Sequence, residues 1–268
     1  MNFISSWKTF CKVLEEDYQF RSLSLPHWWY LWFHYRGRLE DRFSVPYRVD
    51  LINAQILNQQ VSFPLSFPYT GAAKGILLDQ EYLLIDDLPS QPRRILDLGA
   101  NIGLGTLFLY CQFPQAEFIC VEPDPRNKPL LEQTITLNQI PALVADCAIG
   151  STAGQLKLRF GSDPTCSAME TSPMHQLGET ISVEVRTIPD ILDRAGWDRV
   201  DLLKIDIEGT EEELLSQNNQ WLEQVDAIIM EIHPNTTPEK ILTSLQPYRF
   251  NLKRHRQGRE PVYLATRF

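Results

Sequence analysis

Five apolar runs in this 268-residue chain end in residues that can bind or react. The first, Ile95 to Gly105, reads ILDLGANIGLG. It has the form of a buried strand that enters a glycine turn and then a helix. Gly99 and Gly103 let the backbone turn tightly and come close to a ligand, and the helix start offers unpaired N–H groups there. A dinucleotide loop would need glycines where Asn101 and Leu104 stand, so that pattern fails. The run fits instead a D-x-G-x-x-x-G loop, in which Asp97 and the glycines hold an amino-acid-bearing nucleoside; a purely structural turn is the other reading. Glu122, in VEPD, lies 23 residues beyond Gly99 at the end of the next run, where an acid accepts hydrogen bonds from ribose hydroxyls. Asp146, in ADCAIG, ends a third run. Its side chain or the backbone of Cys147 could reach an adenine amine, although Asp also favours turns without any ligand.

The fourth run, LLKIDIEGTEEELL, delivers Lys204, Asp206 and Glu208 at every second position. That spacing sets all three on one side of a strand, at the carboxyl end where open α/β sheets bind ligands. Three charges on an apolar strand are costly unless they are paired or used. Thr210 with Glu213 has the pattern of a capping box, so Glu211, Glu212 and Glu213 read as acids that begin a helix. The fifth run, IIMEIHP, repeats the spacing of two with Glu231 and His233. A histidine there is the side chain most easily poised near neutral pH, and an ordinary surface histidine is the bland alternative.

These residues need a frame. Apolar strands at 94–98, 117–122, 142–146, 200–206 and 227–231 alternate with helical patterns at 103–113, 125–138, 210–216 and 237–245, which implies a parallel sheet with right-handed crossovers. Segments 155–160 and 181–185 alternate as strands do and are expected to pair; a polar loop, 161–178, separates them. A hairpin of 248–253 with 261–266 closes the sheet. The fold class expected is α/β: a Rossmann-like, mostly parallel seven-stranded sheet with helices on both faces and an N-terminal helical extension. Two parts are predicted, an aromatic-rich helical extension or cap over 1–75 and the catalytic domain over 76–268. Trp7, Phe10, Val13 and Leu14 recur at helical spacing. Residues 26–36, PHWWYLWFHYR, read as a helix packed on the main domain, with a substrate wall or a membrane-interface belt as alternatives. Prolines 46, 64 and 68 interrupt 44–70, which reads as a cap or lid.

Composition narrows the partners. The net charge of −9 argues against long nucleic acids and anionic membranes. Lys253, Arg254, Arg256 and Arg259 form a small basic cluster, read as a solvated turn. Five widely spaced cysteines, with no C-x-x-C, suit a reducing compartment. No signal-peptide pattern begins the sequence and no run nears the roughly 20 apolar residues of a membrane span; a cytoplasmic protein without a membrane span is expected.

Taken together, DLGANIG, VEPD, LKIDIEGTE and MEIHP resemble the FkbM family of S-adenosylmethionine-dependent methyltransferases, from about Gly75 to the C-terminus. KIDIEG is the most specific element. The resemblance implies S-adenosylmethionine as cofactor, contacted by Asp97, Gly99, Asn101, Gly103, Glu122 and Asp146, with Lys204, Asp206, Glu208, Glu231 and His233 around the methyl-transfer centre. It implies O-methylation of a small-molecule hydroxyl acceptor: a sugar, a polyketide or a related metabolite. On this reading His233 is the base, or Asp206 if the imidazole points away. Glu231 orients the imidazole, and Lys204 pairs with Asp206 or polarises the acceptor oxygen. A divalent metal on Asp206, Glu208 and Glu231 suits hard oxygen ligands but is disfavoured by Lys204 beside it. RNA or protein methylation, and a non-catalytic module that binds the nucleoside, are the competing functions. A homodimer through the aromatic N-terminus is a further option.

Overall fold

The computed structural model describes residues 3–25, 29–160, 167–169, 180–255 and 261–268. Most of the polar loop 161–178, the residues Pro26, His27 and Trp28, and Arg256 and Arg259 of the basic cluster lie outside them. The chain begins with two helices, α1 (Phe3–Phe20) and α2 (Trp29–Phe43), then a hairpin of β1 (Asp50–Ile56) and β2 (Gln59–Leu65) and a short α3 (Thr70–Ala73). The alternating part follows: β3 (Arg94–Leu98), α4 (Leu104–Gln112), β4 (Glu117–Val121), α5 (Lys128–Leu137) and β5 (Ala142–Ala145). A smaller sheet comes next, with β6 (Ala148–Ile149), β7 (Gly154–Phe160), β8 (Ser167–Met169) and β9 (Thr180–Arg186). The chain returns to the main sheet through α6 (Ile188–Ala195), β10 (Val200–Ile205), α7 (Glu211–Ser216), β11 (Val225–Glu231), α8 (Pro238–Leu245), β12 (Phe250–Arg254) and β13 (Val262–Arg267).

The main sheet has seven strands in the order β12-β13-β11-β10-β3-β4-β5. β5, β4, β3, β10 and β11 run parallel, while β13 pairs antiparallel with both β11 and β12. From β3 the chain winds outward through β4 and β5, then crosses back to β10 and β11. The strand order therefore reverses between β3 and β10, and open α/β sheets bind ligands in the crevice at that point. The expected closing hairpin and the expected pairing of β7 with β9 are both present.

Side-chain alternation divides the core into two layers. Ile95 belongs to a cluster that includes Leu107, Phe108 and Leu131 of α4 and α5. Leu96 and Leu98 belong to the opposite cluster, with Ile188, Leu192, Leu214, Leu215 and Ile241 from α6, α7 and α8. Helices thus cover both faces of the sheet. α6 is set by its own sequence: Thr187 and Asp190 form a capping box, and Gly196 closes the helix in the left-handed region.

The N-terminal extension shares the first layer, where Phe20, Phe33, Ile52 and Phe63 join the cluster around α4. α2 packs on α1 through stacked Phe20 and Tyr30, 4.6 Å between rings, in keeping with the packed-helix reading; Trp32 and Tyr35 remain exposed. Segment 44–70 departs from the expectation of an interrupted cap. Ile52, Ala54 and Ile56 alternate with exposed residues, and Val61, Phe63 and Leu65 face the same layer, so a hairpin forms. Proline is tolerated because both strands of an isolated hairpin are edges, and Pro64 stands opposite Leu51. Asn138, just after α5, clasps the free edge at the backbone N and O of Ser62, at 3.0 and 2.7 Å. Among the described residues no helix is long and apolar enough to cross a membrane.

Candidate functional site

The turn after β3 is held from three sides. Gly99 and Ala100 both donate their N–H to Val121 O at 3.0 Å. Gly99 has φ +76°, and a Cβ there would overlap the Asp206 carbonyl oxygen, so the close approach of the loop to β10 requires glycine. Beneath the loop, Lys204 Nζ donates to Asp97 Oδ1 at 2.8 Å and to Gly99 O at 3.0 Å. Thr106 donates to the other Asp97 oxygen at 2.6 Å. Burial opposes the charge on Lys204, but Asp97, and Asp206 after it, outweigh burial and raise its pKa above the ordinary value. Asp97 and Lys204 are 0% and 2% exposed and are not among the residues that line the cleft; their ion pair lies beneath the glycine loop, and Lys204 also pairs with Asp206 at 3.9 Å, as expected.

Above the loop lies a cleft enclosing about 650 Å³ of space open to solvent, lined by Gly99, Asn101, Glu122, Asn127, Asp206 and Glu208 among others. Val121, Ile149 and Leu158 supply an apolar wall. Glu122, at the end of β4, is 5% exposed. It accepts from Asn101 N at 2.7 Å, Asp124 N at 2.9 Å and Asn127 Nδ2 at 3.3 Å. Burial pushes its pKa up to about 7 against the opposing pull of those donors. Asn101 itself adopts φ +51°, and its Oδ1 accepts from Ile102 N at 2.8 Å. The cleft thus brings together a glycine turn, a buried carboxylate and an apolar wall. Asp146 and Cys147 are not brought into this set. Asp146 is half exposed and paired with Lys128 at 2.6 Å, because β5 ends one residue before it; Cys147 is buried in the core opposite.

Next to the cleft, the ends of β10 and β11 gather a second cluster. His233 Nδ1 lies 2.8 Å from Glu211 Oε1. Its Nε2 faces Glu208 and Glu231, each at 3.7 Å. Asp206 Oδ2 receives the Tyr82 hydroxyl at 3.4 Å and lies 3.9 Å from Lys204 Nζ. Burial works against charge on His233, but the hydrogen bond and charge of Glu211, with Asp206 and Glu231 beyond, push its pKa up to about 9. The expected base is therefore an imidazolium at neutral pH, and Asp206 and Glu208, not His233, line the cleft. Glu211, not Glu231, orients the imidazole. The donors that converge within 4.8 Å are Asp206, Glu208 and His233, so His233 replaces Glu231 in the metal-ligand set.

Four residues escaped the sequence reading: Glu211, Tyr82, Asn127 and Tyr69. Glu211 is fully buried although read as a helix-start acid. The signal was present, since Glu211, Leu214 and Leu215 share the inward face of α7 at spacings of three and four. The expected capping box is absent: Thr210 Oγ1 donates to Ile207 O at 3.2 Å, and Glu213 accepts from Ser151 at 3.1 Å.

The strand order, with one antiparallel strand inserted beside β11, and the cleft at the β3–β10 reversal define a Rossmann-like α/β fold with its cleft at the sheet's switch point. Residues 97–255 match the family described as the Methyltransferase FkbM domain; the chain belongs to this family of S-adenosylmethionine-dependent methyltransferases. It is 30% identical over 205 residues to Methyltransferase sdnD of Sordaria araneosa, spanning 64% of this chain and 78% of that one. It is 23% identical over 169 residues to the 31-O-demethyl-FK506 methyltransferase FkbM of Streptomyces tacrolimicus, spanning 52% and 65%. It is 24% identical over 173 residues to the 2-O-methyltransferase NoeI of Sinorhizobium fredii (strain NBRC 101917 / NGR234), spanning 57% and 70%.

Proposed function

We propose that this chain methylates a hydroxyl oxygen of a small molecule, a sugar, polyketide or related metabolite, with Asp206 as the base. The observation that carries the reading is the acidic cluster of Asp206, Glu208 and Glu231 around His233, set against the cleft where the nucleoside binds. Two relatives named for O-methylation support it. Gly99 and Asn101 cradle the amino-acid end of the cofactor, while Gly103, packed against Leu131 and Thr134, begins α4 behind them, and Glu122 receives the ribose hydroxyls. S-adenosylmethionine supplies an electrophilic methyl group whose C–S bond electrons return to sulfur. A hydroxyl acceptor is a weak nucleophile, and Asp206 takes its proton as the O–C bond forms. General-base assistance is worth about 10²–10⁴-fold. His233, held by Glu211, keeps a positive charge among the three carboxylates, which limits their mutual repulsion. Asp206→Asn should reduce turnover on a hydroxyl acceptor by about 10²-fold or more, with S-adenosylhomocysteine affinity changed less than a few-fold. Full turnover in that variant would remove Asp206 from the chemistry.

A second reading rests on the convergence of Asp206, Glu208 and His233 within 4.8 Å. Lys204, bonded to Asp97 and 3.9 Å from Asp206, still counts against a metal. Mixed carboxylate and imidazole donors suit a divalent cation. Loss of turnover on chelation, restored by added magnesium or manganese, would favour this reading over Asp206 as a free base.

A further inference from the structure

One chain of polar contacts runs from the N-terminal extension into the cleft. The Tyr69 hydroxyl donates to Asn127 Oδ1 at 2.7 Å, and Asn127 Nδ2 donates to Glu122 Oε1 at 3.3 Å. All three side chains are at most 5% exposed. The roles are fixed by chemistry. The phenol donates to the amide oxygen, which leaves the NH₂ for Glu122, and the ionised form of Glu122, the one the ribose reading uses, accepts it. Tyr69 is itself clamped by the extension. It ends a tight turn, Phe67–Tyr69, whose backbone closes from Tyr69 N to Ser66 O at 3.1 Å. The Phe67 ring occupies a notch on α2 that exists because residue 37 is glycine; any Cβ there would overlap the ring. His34 of the same helix meets that ring edge-on at 5.1 Å. Tyr69 lies outside the residues that match the family.

We propose that Tyr69 is a positioning residue for cofactor binding: through Asn127 it holds the Glu122 carboxylate toward the ribose, so the N-terminal extension sets the cleft's affinity for its nucleoside. The proposal rests on Glu122 receiving the ribose, as read above. Without the phenol hydroxyl, the amide oxygen is left buried without its donor and the amide loses its reason to present Nδ2 to Glu122. The carboxylate then keeps Asn101 N on Oε2 and Asp124 N on Oε1 but loses the second donor to Oε1.

The test is calorimetry of the full chain with S-adenosylhomocysteine. Tyr69→Phe should weaken binding about five-fold, the size of one buried hydrogen bond. In an Asn127→Ala background the same substitution should add nothing further. Two smaller probes separate positioning from general damage to the fold: 5′-methylthioadenosine and its 2′,3′-dideoxy analogue. Tyr69→Phe should weaken the first and leave the second unchanged, since the second has no hydroxyls for Glu122 to receive. Equal weakening of both probes, or an additive effect with Asn127→Ala, overturns the relay. Glu122→Gln serves as the reference. If it binds S-adenosylhomocysteine like the unaltered chain, the ribose reading of Glu122 fails and the relay with it. If it loses affinity while Tyr69→Phe does not, the relay alone fails.

Discussion

Glu122 ties cofactor affinity to pH, and the size of the effect follows from its surroundings. Burial raises its pKa from 4.5 to about 7, so at pH 6 about nine-tenths of the free protein carries a neutral carboxyl there, and at pH 8 about one-tenth. Ribose hydroxyls donate best to the ionised form, which binding therefore selects. Apparent affinity for S-adenosylhomocysteine should be about ten-fold weaker at pH 6 than at pH 8, and binding at pH 7 should release up to roughly half a proton. The sign for stability is opposite. Because the folded pKa is raised, the contribution of this group is fully present below about pH 4.5 and is lost as pH rises through about 7, up to about 3 kcal/mol. The ligand-free protein thus gives up stability at neutral pH for a charge that the ligand uses. Calorimetry in two buffers of different ionisation enthalpy, at steps from pH 6 to 8, reads both affinity and proton release. The ligand's own amino group also titrates on the alkaline side of this range, and Glu122→Gln subtracts its contribution. A pH-independent affinity in the unaltered chain, or the same slope in Glu122→Gln, would refute the reasoning.

Three further outcomes follow from the site. Lys204→Met should cost about 3–5 kcal/mol in denaturant unfolding, because it strands a buried Asp97 carboxylate; a loss below 1 kcal/mol would mean the pair is not what holds the loop. Gly99→Ala should abolish S-adenosylhomocysteine binding even where the protein still folds, since the loop must move off the Asp206 carbonyl; retained binding would contradict the close approach. Glu211→Gln should lower the pKa of His233 from about 9, read by NMR titration of the imidazole, because it removes the charge that outweighs burial; an unmoved titration would shift that role to Asp206 and Glu231.

The sheet was legible because its strands are short apolar runs punctuated by glycine, proline and acids, and because each chemically loaded residue sits at a strand's carboxyl end. The placement of Gly99 and Glu122 at the cleft follows from that local pattern; Asn101 was expected there only from the family resemblance. What stayed hidden depends on contacts between distant segments. Lys204 pairs with Asp97 across two neighbouring strands, and a strand's alternation tells which side a residue faces but not whether it stops beneath the loop or beyond it. Glu211 looked like one of three helix-start acids; only the packing of α7 beneath β11 turns it toward His233. Asp146 lies at the surface beside Lys128, just past the end of β5, rather than within the strand as read. The hairpin 50–65 was missed because three prolines suggested an irregular segment, whereas Pro46 and Pro68 flank the hairpin and Pro64 alone sits in a strand, at an edge.

The central claim is that the group accepting methyl beside Asp206 is a hydroxyl oxygen. Incubation of the chain with methyl-labelled S-adenosylmethionine and a panel of sugars and hydroxylated metabolites, followed by NMR of the labelled product, tests it most directly. The account expects the label in a methoxyl group, and loss of that product in Asp206→Asn. Label on nitrogen or carbon, or no transfer by protein that binds S-adenosylhomocysteine normally, would contradict it.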